Sequence, residues 1–294
     1  MFSCRGCATL YTSALPDAAG AQNYDEYYDA HNLSVPDFIH LRLAEIVAGF
    51  APYRRAGRLL DIGCGAGTVL EAARRAGWEA EGVEVSRPAV EHLRARGFAI
   101  FHGELAAARY PENHFDVVIA SEVIEHLADP RDLLREAARV LRPGGLLWAT
   151  TPHSRGASAR ALGIGWSTVC PPEHLHLFSR RGLKNLLREA GFSRVRVATH
   201  GVNPYEILAG WRGRAAPPPH GGAPAAGDDA GGNAGDAAGD AGNAAGAGFN
   251  RVESSYSLNE SLNRNRALKT VKGLLNAALN VTRLGDSLKI TAEK

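Results

Sequence analysis

The stretch that most constrains this chain is Leu59-Leu60-Asp61-Ile62-Gly63-Cys64-Gly65-Ala66-Gly67-Thr68. The run from Arg58 to Ile62 is short and apolar enough for a fully buried parallel strand. Three glycines at alternate positions follow, and Val69 to Ala76 then reads as a helix with Thr68 near its start. Strand, glycine turn and helix together are the setting in which a glycine-rich segment binds a nucleotide. The backbone must turn sharply there, and a ligand must approach it without meeting a Cβ. A dinucleotide fingerprint places glycines first, third and sixth. Counted from Gly63, the sixth residue is Thr68, and the last glycine falls one place early at Gly67.

With 294 residues there is room for one large domain or two small ones. The 33 Lys and Arg residues against 31 acidic ones leave no strong basic field, which argues against nucleic acid as a generic partner. No apolar run approaches the ~20 residues of a membrane span. Met1-Phe2-Ser3-Cys4-Arg5 lacks the basic start and apolar core of a signal peptide. Four scattered cysteines are too few for a disulfide scaffold. A soluble cytoplasmic protein is the expectation.

From Arg58 onward strands and helices alternate, as in a βαβ sheet. Further strands are predicted at Glu79 to Val85, near Ala99 to Phe101, at Phe115 to Ala120, Leu146 to Thr151 and Phe192 to Thr199, with Leu288 to Ala292 as the last. Helices are predicted at Pro36 to Phe50, Asp132 to Leu141, Arg180 to Ala190 and Leu258 to Leu284. Arg142-Pro143-Gly144-Gly145 reads as a stop between helix and strand. Ala215 to Gly248 is almost wholly Ala, Gly, Asp, Asn and Pro; it cannot bury a core and is expected to be disordered.

In an open parallel sheet, ligands sit beyond the carboxyl ends of the strands. That rule selects Gly63, Gly65 and Gly67 after the first strand and Glu84 with Val85 at the end of the second. Glu84 lies 17 residues past Gly67, near the ~20 expected of a ribose-binding acid. An ionised carboxylate offers only acceptors and can take both ribose hydroxyls. Glu104 follows the third strand, and Ser121 with Glu122 follows the fourth.

Asp61 to Gly67 resembles motif I of the class I S-adenosylmethionine-dependent methyltransferases. Glu122 to Pro130 and Glu173 to Ser179 also resemble segments of that family. The resemblance implies an α/β, Rossmann-like seven-stranded sheet with helices on both faces, its last strand antiparallel and paired with the sixth, and a helical insertion between strands six and seven. It implies S-adenosylmethionine as cofactor, with Asp61, Gly63, Cys64, Gly65 and Gly67 around its amino-acid end. Glu84 and Val85 would meet the ribose, Glu104 the adenine amine, and Ser121 and Glu122 the region of the sulfonium. Tyr24-Asp25-Glu26-Tyr27-Tyr28-Asp29 would fold over the cofactor mouth, or else serve as surface anchors for the N-terminal arm.

Methyl transfer to oxygen needs a proton removed, and histidine titrates near neutrality. His174 is the first choice for a base or substrate contact, with His176 and His153 behind it. In an extended chain His174 and His176 would face the same side. Glu125 and His126 complete the catalytic candidates. No metal is expected to be required. Glu122, Glu125 and His126 would share one helix face and are the ligands if one binds, as in small-RNA 2′-O-methyltransferases and ubiquinone-pathway O-methyltransferases with a similar Glu-x-x-Glu-His segment. Cys4 and Cys7 form half of a zinc knuckle, similar to the ribbon that precedes some sugar and polysaccharide methyltransferases; with no second pair before Met1, they are otherwise two unligated thiols.

The expected organisation is an N-terminal arm over 1–36, a methyltransferase domain over 37–213 plus 284–294, a disordered insertion over 214–248 and a helical cap over 249–283. The expected reaction is methyl transfer to a hydroxyl of a small molecule or saccharide. Oxygen, nitrogen and carbon acceptors stay open, as does the oligomeric state. A nicotinamide-dependent oxidoreductase and a non-catalytic cofactor-binding module are the alternatives.

Overall fold

A computed structural model of the chain describes residues 1–12, 24–28, 37–211 and 266–294. The low-complexity stretch 214–248 and the predicted helical residues 258–265 lie outside the described residues. The elements in chain order are β1 (Phe2–Ser3), β2 (Leu10–Tyr11), α1 (Tyr24–Tyr27), α2 (Asp37–Ala48), β3 (Arg58–Ile62), α3 (Thr68–Arg75), β4 (Glu79–Glu84), α4 (Arg87–Ala95) and β5 (Ala99–His102). Then come β6 (Phe115–Ser121), α5 (Pro130–Val140), β7 (Leu141–Pro152), α6 (Ala157–Leu162), β8 (His176–Leu177), α7 (Arg180–Glu189) and β9 (Ser193–His200). The last are α8 (Pro204–Trp211), α9 (Arg266–Thr282) and β10 (Ser287–Glu293).

Seven strands form the main sheet in the order β5-β4-β3-β6-β7-β10-β9. β10 runs antiparallel to both neighbours and slots between β7 and β9, with Leu288 opposite Thr151 on one side and Thr199 on the other. Strand alternation explains the two covered faces. Leu59, Val117, Ile119, Leu146 and Trp148 meet α2 and α3 through Val47, Phe50, Ala72 and Ala73. Their neighbours Leu60, Ile62, Val118, Ala120, Leu147 and Ala149 meet α5 and α7 through Leu134, Ala137, Leu183 and Leu187. A smaller cluster of Leu70, Val90, Leu93, Phe98 and Ile100 seats α4.

Arg142-Pro143-Gly144-Gly145 departs from the predicted stop. β7 already begins at Leu141, opposite Phe115, and pairing resumes at Leu146 opposite Val117. The excursion between is pinned: Arg142 is ion-paired with Asp116, while Gly144 and Gly145 exchange backbone hydrogen bonds with Lys294.

β1 and β2 form a hairpin that β8 extends into a three-stranded sheet. It docks on the start of α7: the Ser179 hydroxyl donates to the Cys7 carbonyl and accepts from Gly182 N, and Ser179 N donates to Thr9 Oγ1 at 3.2 Å. Cys4 and Cys7 are free thiols in this hairpin. Among the described residues no third ligand joins them.

Candidate active site

Beyond the carboxyl ends of β3, β4, β5 and β6 lies a cavity of about 760 Å³. This is where the strand order turns outward on both sides of β3, the place an open sheet leaves for a ligand. Ile62 and Gly63, Val83 to Val85, Gly103 to Ala106, and Ser121 to Val123 form its floor. Tyr24 and Tyr28 close over it, and Glu173 and His174 stand at one side.

The glycine loop is shaped by close approach. A Cβ on Gly63, at φ +65°, would stand 2.8 Å from Val123 Cγ2. One on Gly65, at φ +50°, would collide with the Tyr28 hydroxyl. Side chains are excluded from this bend on steric and conformational grounds together. Of the loop residues named from the sequence, Gly63 faces the cavity directly. Gly65 lies beneath Tyr28, Gly67 packs on Leu93, and the Cys64 thiol turns into the α4 cluster, where burial pushes its pKa up. Asp61 is buried below the loop and does not line the cavity. Burial, with Glu84 nearby, raises its pKa to about 8.

Glu84 ties the loop to the strand ends. Its Oε2 accepts from Gly65 N at 2.8 Å, and its Oε1 from Val85 N at 2.8 Å and Ser86 N at 2.9 Å. The side chain is buried yet reaches the cavity. Val85 and Glu104 also line it, Glu104 exposed at the start of a turn after β5. Ser121 is bonded to the Thr150 hydroxyl at 2.9 Å. The notched glycine bend, a carboxylate at the end of β4 and the apolar walls Val83, Val85 and Leu105 fit a nucleoside with a charged amino-acid tail.

The segment after β6 is not the helix expected. Glu122 takes a left-handed φ of 54°, and residues Ile124–His126 form one 3₁₀ turn. The shared helical face of Glu122, Glu125 and His126 is therefore absent: Glu122 stays at the exposed rim while Glu125 turns fully inward. Two bonds instead bring the 170–178 loop alongside this turn. Leu175 N donates to the Glu125 carbonyl at 2.8 Å, and His126 Nδ1 donates to the Glu173 carbonyl at 2.9 Å. The His126 and His174 rings then meet at 4.8 Å between centroids. His174 Nδ1 donates to the Thr168 carbonyl at 2.7 Å. A carbonyl only accepts, so both imidazoles carry their proton on Nδ1 when neutral and leave Nε2 open.

Glu125, His126 and His174 place one ligand atom each within 4.8 Å of one another. Thr151 Oγ1 donates to Glu125 Oε2 at 3.0 Å, while Glu125 Oε1 is buried without a hydrogen-bond partner. Burial and the neighbouring Glu122 hold the Glu125 carboxyl well above the usual carboxylate range. An orphaned buried carboxylate oxygen calls for a proton or a cation.

His176 and His153 do not reach the cavity. The chain from Cys170 to His174 is a turn, so the alternation that would align His174 with His176 starts only at Leu175. His176 lies in β8, stacked on Phe178. His153 is buried, its Nδ1 donating to the Gly285 carbonyl at 2.9 Å, and burial lowers its pKa to about 4. Sequence reasoning missed Thr151, Thr168, and the acids of α5 and its N-cap. The Thr168 contribution comes from a backbone carbonyl, which carries no side-chain signal.

Asp129, Asp132 and Glu136 of that region, each ion-paired with Arg131, Arg135 or Arg139 of α5, join Glu84, Glu104, Glu122 and Glu173 on the cavity wall, and among the described residues no Lys or Arg lines it.

Residues 35–197 match the family described as methyltransferase domain. A ubiquinone biosynthesis O-methyltransferase of Ralstonia nicotianae is 37% identical over 115 residues, covering 36% of this chain and 48% of that protein. A probable S-adenosylmethionine-dependent methyltransferase of Mycolicibacterium smegmatis is 36% identical over 158 residues, covering 51% of this chain and 58% of that one. The chain thus spans about half the length of the curated relatives it matches. The crystal structure of an S-adenosylmethionine-dependent methyltransferase from Archaeoglobus fulgidus shares the fold, with a TM-score of 0.53 at 18% identity over 93% of this chain and all of that one. The chain belongs to the methyltransferase-domain family, within the class I S-adenosylmethionine-dependent methyltransferases.

Proposed function

We propose that the protein transfers a methyl group from S-adenosylmethionine to a hydroxyl of a small molecule or saccharide. The observation that carries this reading is the pair of open Nε2 atoms on His126 and His174 at the wall of the cofactor cavity. The bound donor supplies a methyl group already activated on a sulfonium. Gly63, Glu84, Glu104 and Ser121 would hold it, leaving the chain to align the acceptor and remove its proton. His174 Nε2 accepts that proton, and the Thr168 carbonyl keeps Nδ1 protonated so that the ring is aimed as a base. Tyr24 and Tyr28 shield the reacting groups from water.

Glu104, Glu122 and Glu173 have no ion pair among the described residues, so this part of the wall disfavours phosphate and carboxylate and offers acceptors to sugar hydroxyls. This supports a neutral polyol or phenol over a nucleic acid. The Ralstonia relative is an O-methyltransferase, which points to the same atom. Free thiols at all four cysteines fit the reducing cytoplasm.

One observation favours a second element. The orphaned Glu125 Oε1 beside two open imidazole nitrogens suits a divalent cation held by Glu125, His126 and His174. On this second reading the cation takes the His174 Nε2 lone pair, so His174 would serve as a ligand in place of a base, and the cation would lower the pKa of the acceptor hydroxyl.

Calorimetry against S-adenosylmethionine and a nicotinamide dinucleotide, followed by release of S-adenosylhomocysteine over a panel of hydroxylated acceptors, tests the reading. Donor binding with turnover on a hydroxyl is expected. No heat with the methyl donor overturns it, and binding without turnover on any acceptor leaves the non-catalytic alternative standing.

A further inference from the structure

Helix α9 lies with its polar side toward the sheet. β9 is an edge strand, and edge N–H groups need acceptors. Asn280 Oδ1 accepts from Thr199 N at 3.0 Å, and Asn276 Oδ1 from Gly201 N at 3.1 Å. With the asparagines committed inward, the helical period turns Leu274, Ala278 and Val281 outward. Leu274 is 67% exposed and Val281 81%. Helix α8 adds Trp211 at 69%, with Tyr205 and Leu208 also exposed, and Ile164 after α6 is 91% exposed. The three helices converge on Asp286, which accepts from Ser158 N at 2.8 Å, from the Ser158 hydroxyl at 2.6 Å and from Asn203 N at 3.3 Å.

In segments 153–170, 201–211 and 266–286 the exposed cations among the described residues are Arg155, Arg160 and Arg283, and the sequence of 266–272 adds Arg266, Lys269 and Lys272. Their acids are Glu206 and Asp286, and both are bonded inward, Glu206 to Ser167 N. No helix among the described residues is long and apolar enough to cross a membrane.

We propose that α6, α8 and α9 form a docking surface for an anionic phospholipid bilayer, on which the protein lies without crossing it. Apolar side chains with a Trp and a Tyr among them, set among cations and without exposed carboxylates among the described residues, are what an acidic headgroup layer accepts. A second copy of this chain would bring the same positive sign to the contact. The surface shares no residue with the cavity, so its failure and failure of the methyltransfer reading are separable.

The chain carries its own probe. Of its four tryptophans, Trp78 and Trp148 are 5% exposed and Trp166 4%, so a change in emission on vesicle contact reports Trp211. The full chain is mixed with vesicles of phosphatidylcholine alone, or of phosphatidylcholine and phosphatidylglycerol in equal amounts. Flotation with the anionic vesicles and a blue shift of the emission are expected, both absent with phosphatidylcholine and weakening as salt rises. The double variant Leu274→Ser, Val281→Ser changes exposed side chains only. It should keep its circular dichroism and bind anionic vesicles about tenfold less, since apolar burial sets part of the affinity. Three results would each overturn the proposal: no flotation with anionic vesicles, a Trp211→Phe variant whose lipid-free emission does not lie to the blue of the parent's because the chain covers its own helices, or a dimer that the double variant dissolves.

Discussion

Replacing Glu84 by glutamine keeps the side chain's length and removes one charge. The carboxylate accepts three backbone N–H groups, from Gly65, Val85 and Ser86. An amide has one oxygen. If that oxygen takes Val85 and Ser86, the amide NH₂ faces the Gly65 N–H, donor against donor. A hydrogen bond to a charged group contributes about 1.5–3 kcal/mol, and a buried donor left unpaired costs about 1–3 kcal/mol. These overlap, so a loss near 3 kcal/mol is expected in the ligand-free protein, roughly 6–12 °C in Tm for a domain of this size. Donor affinity should fall separately, because the same carboxylate faces the cavity. Urea unfolding of the ligand-free protein by circular dichroism measures the first effect, and calorimetry with S-adenosylmethionine the second. Glu104→Gln is the control: it removes a charge from the same wall but is exposed, and should leave stability within about 0.5 kcal/mol. A ligand-free Glu84→Gln protein as stable as the parent would refute the claim that this side chain ties the loop to the strand.

His174→Ala should lower kcat by about 10²–10⁴, the usual range for a lost general base, with donor affinity nearly unchanged by calorimetry; a normal kcat removes the assignment. Dialysis against a chelator separates the two roles of His174: turnover that survives chelation keeps it as the base and rules out the cation, whereas turnover lost and then restored by magnesium, manganese or zinc makes it a ligand. Asp61 keeps its proton in the folded state up to about pH 8, while its usual value is 3.8. Between those values the native state holds a proton the unfolded chain has lost, so this group's stabilisation fades as pH rises, by about 1.4 kcal/mol per pH unit. Asp61→Asn should therefore gain on the parent steadily from acid toward pH 8 in urea titrations, and parallel pH profiles for the two proteins would refute it.

The central strands were legible because they are buried on both faces. Arg58 to Ile62 and Phe115 to Ala120 are mostly apolar, each interrupted by one buried aspartate, Asp61 or Asp116, and glycines mark where β3 ends. The order of the last strands is a different matter: the family resemblance supplied the antiparallel pairing of the last strand with the sixth, but that β10 lies between β7 and β9 follows from pairing partners far apart in sequence. Local reasoning failed where a special φ intervened. Glu122 to Leu127 has helical spacing on paper, but the left-handed turn at Glu122 breaks the period and swings Glu125 inward. His176 was misplaced for a related reason, since alternation holds only in extended chain. The site's third partner, His174, was named from its own loop. What brings it to His126 is a pair of backbone bonds that no residue pattern encodes.

The near balance of 33 basic and 31 acidic residues is a sum over a partition. Carboxylates line the cavity, while the cations of α6, α9 and their flanking segments have no exposed acid beside them among the described residues. A positive side chain at the cavity wall would compete with a sulfonium for Glu84 and Glu122 and would repel a cation at Glu125. An acidic residue on α8 or α9 would oppose contact with phosphate headgroups. Each site therefore excludes the other's charge, and the two fields act together on orientation: an anionic bilayer draws the helices in and pushes the acid-lined mouth away. If both proposals hold, a neutral or cationic acceptor would enter the cavity more readily than an anionic one, which the lipid-facing cations would hold and the wall acids would repel.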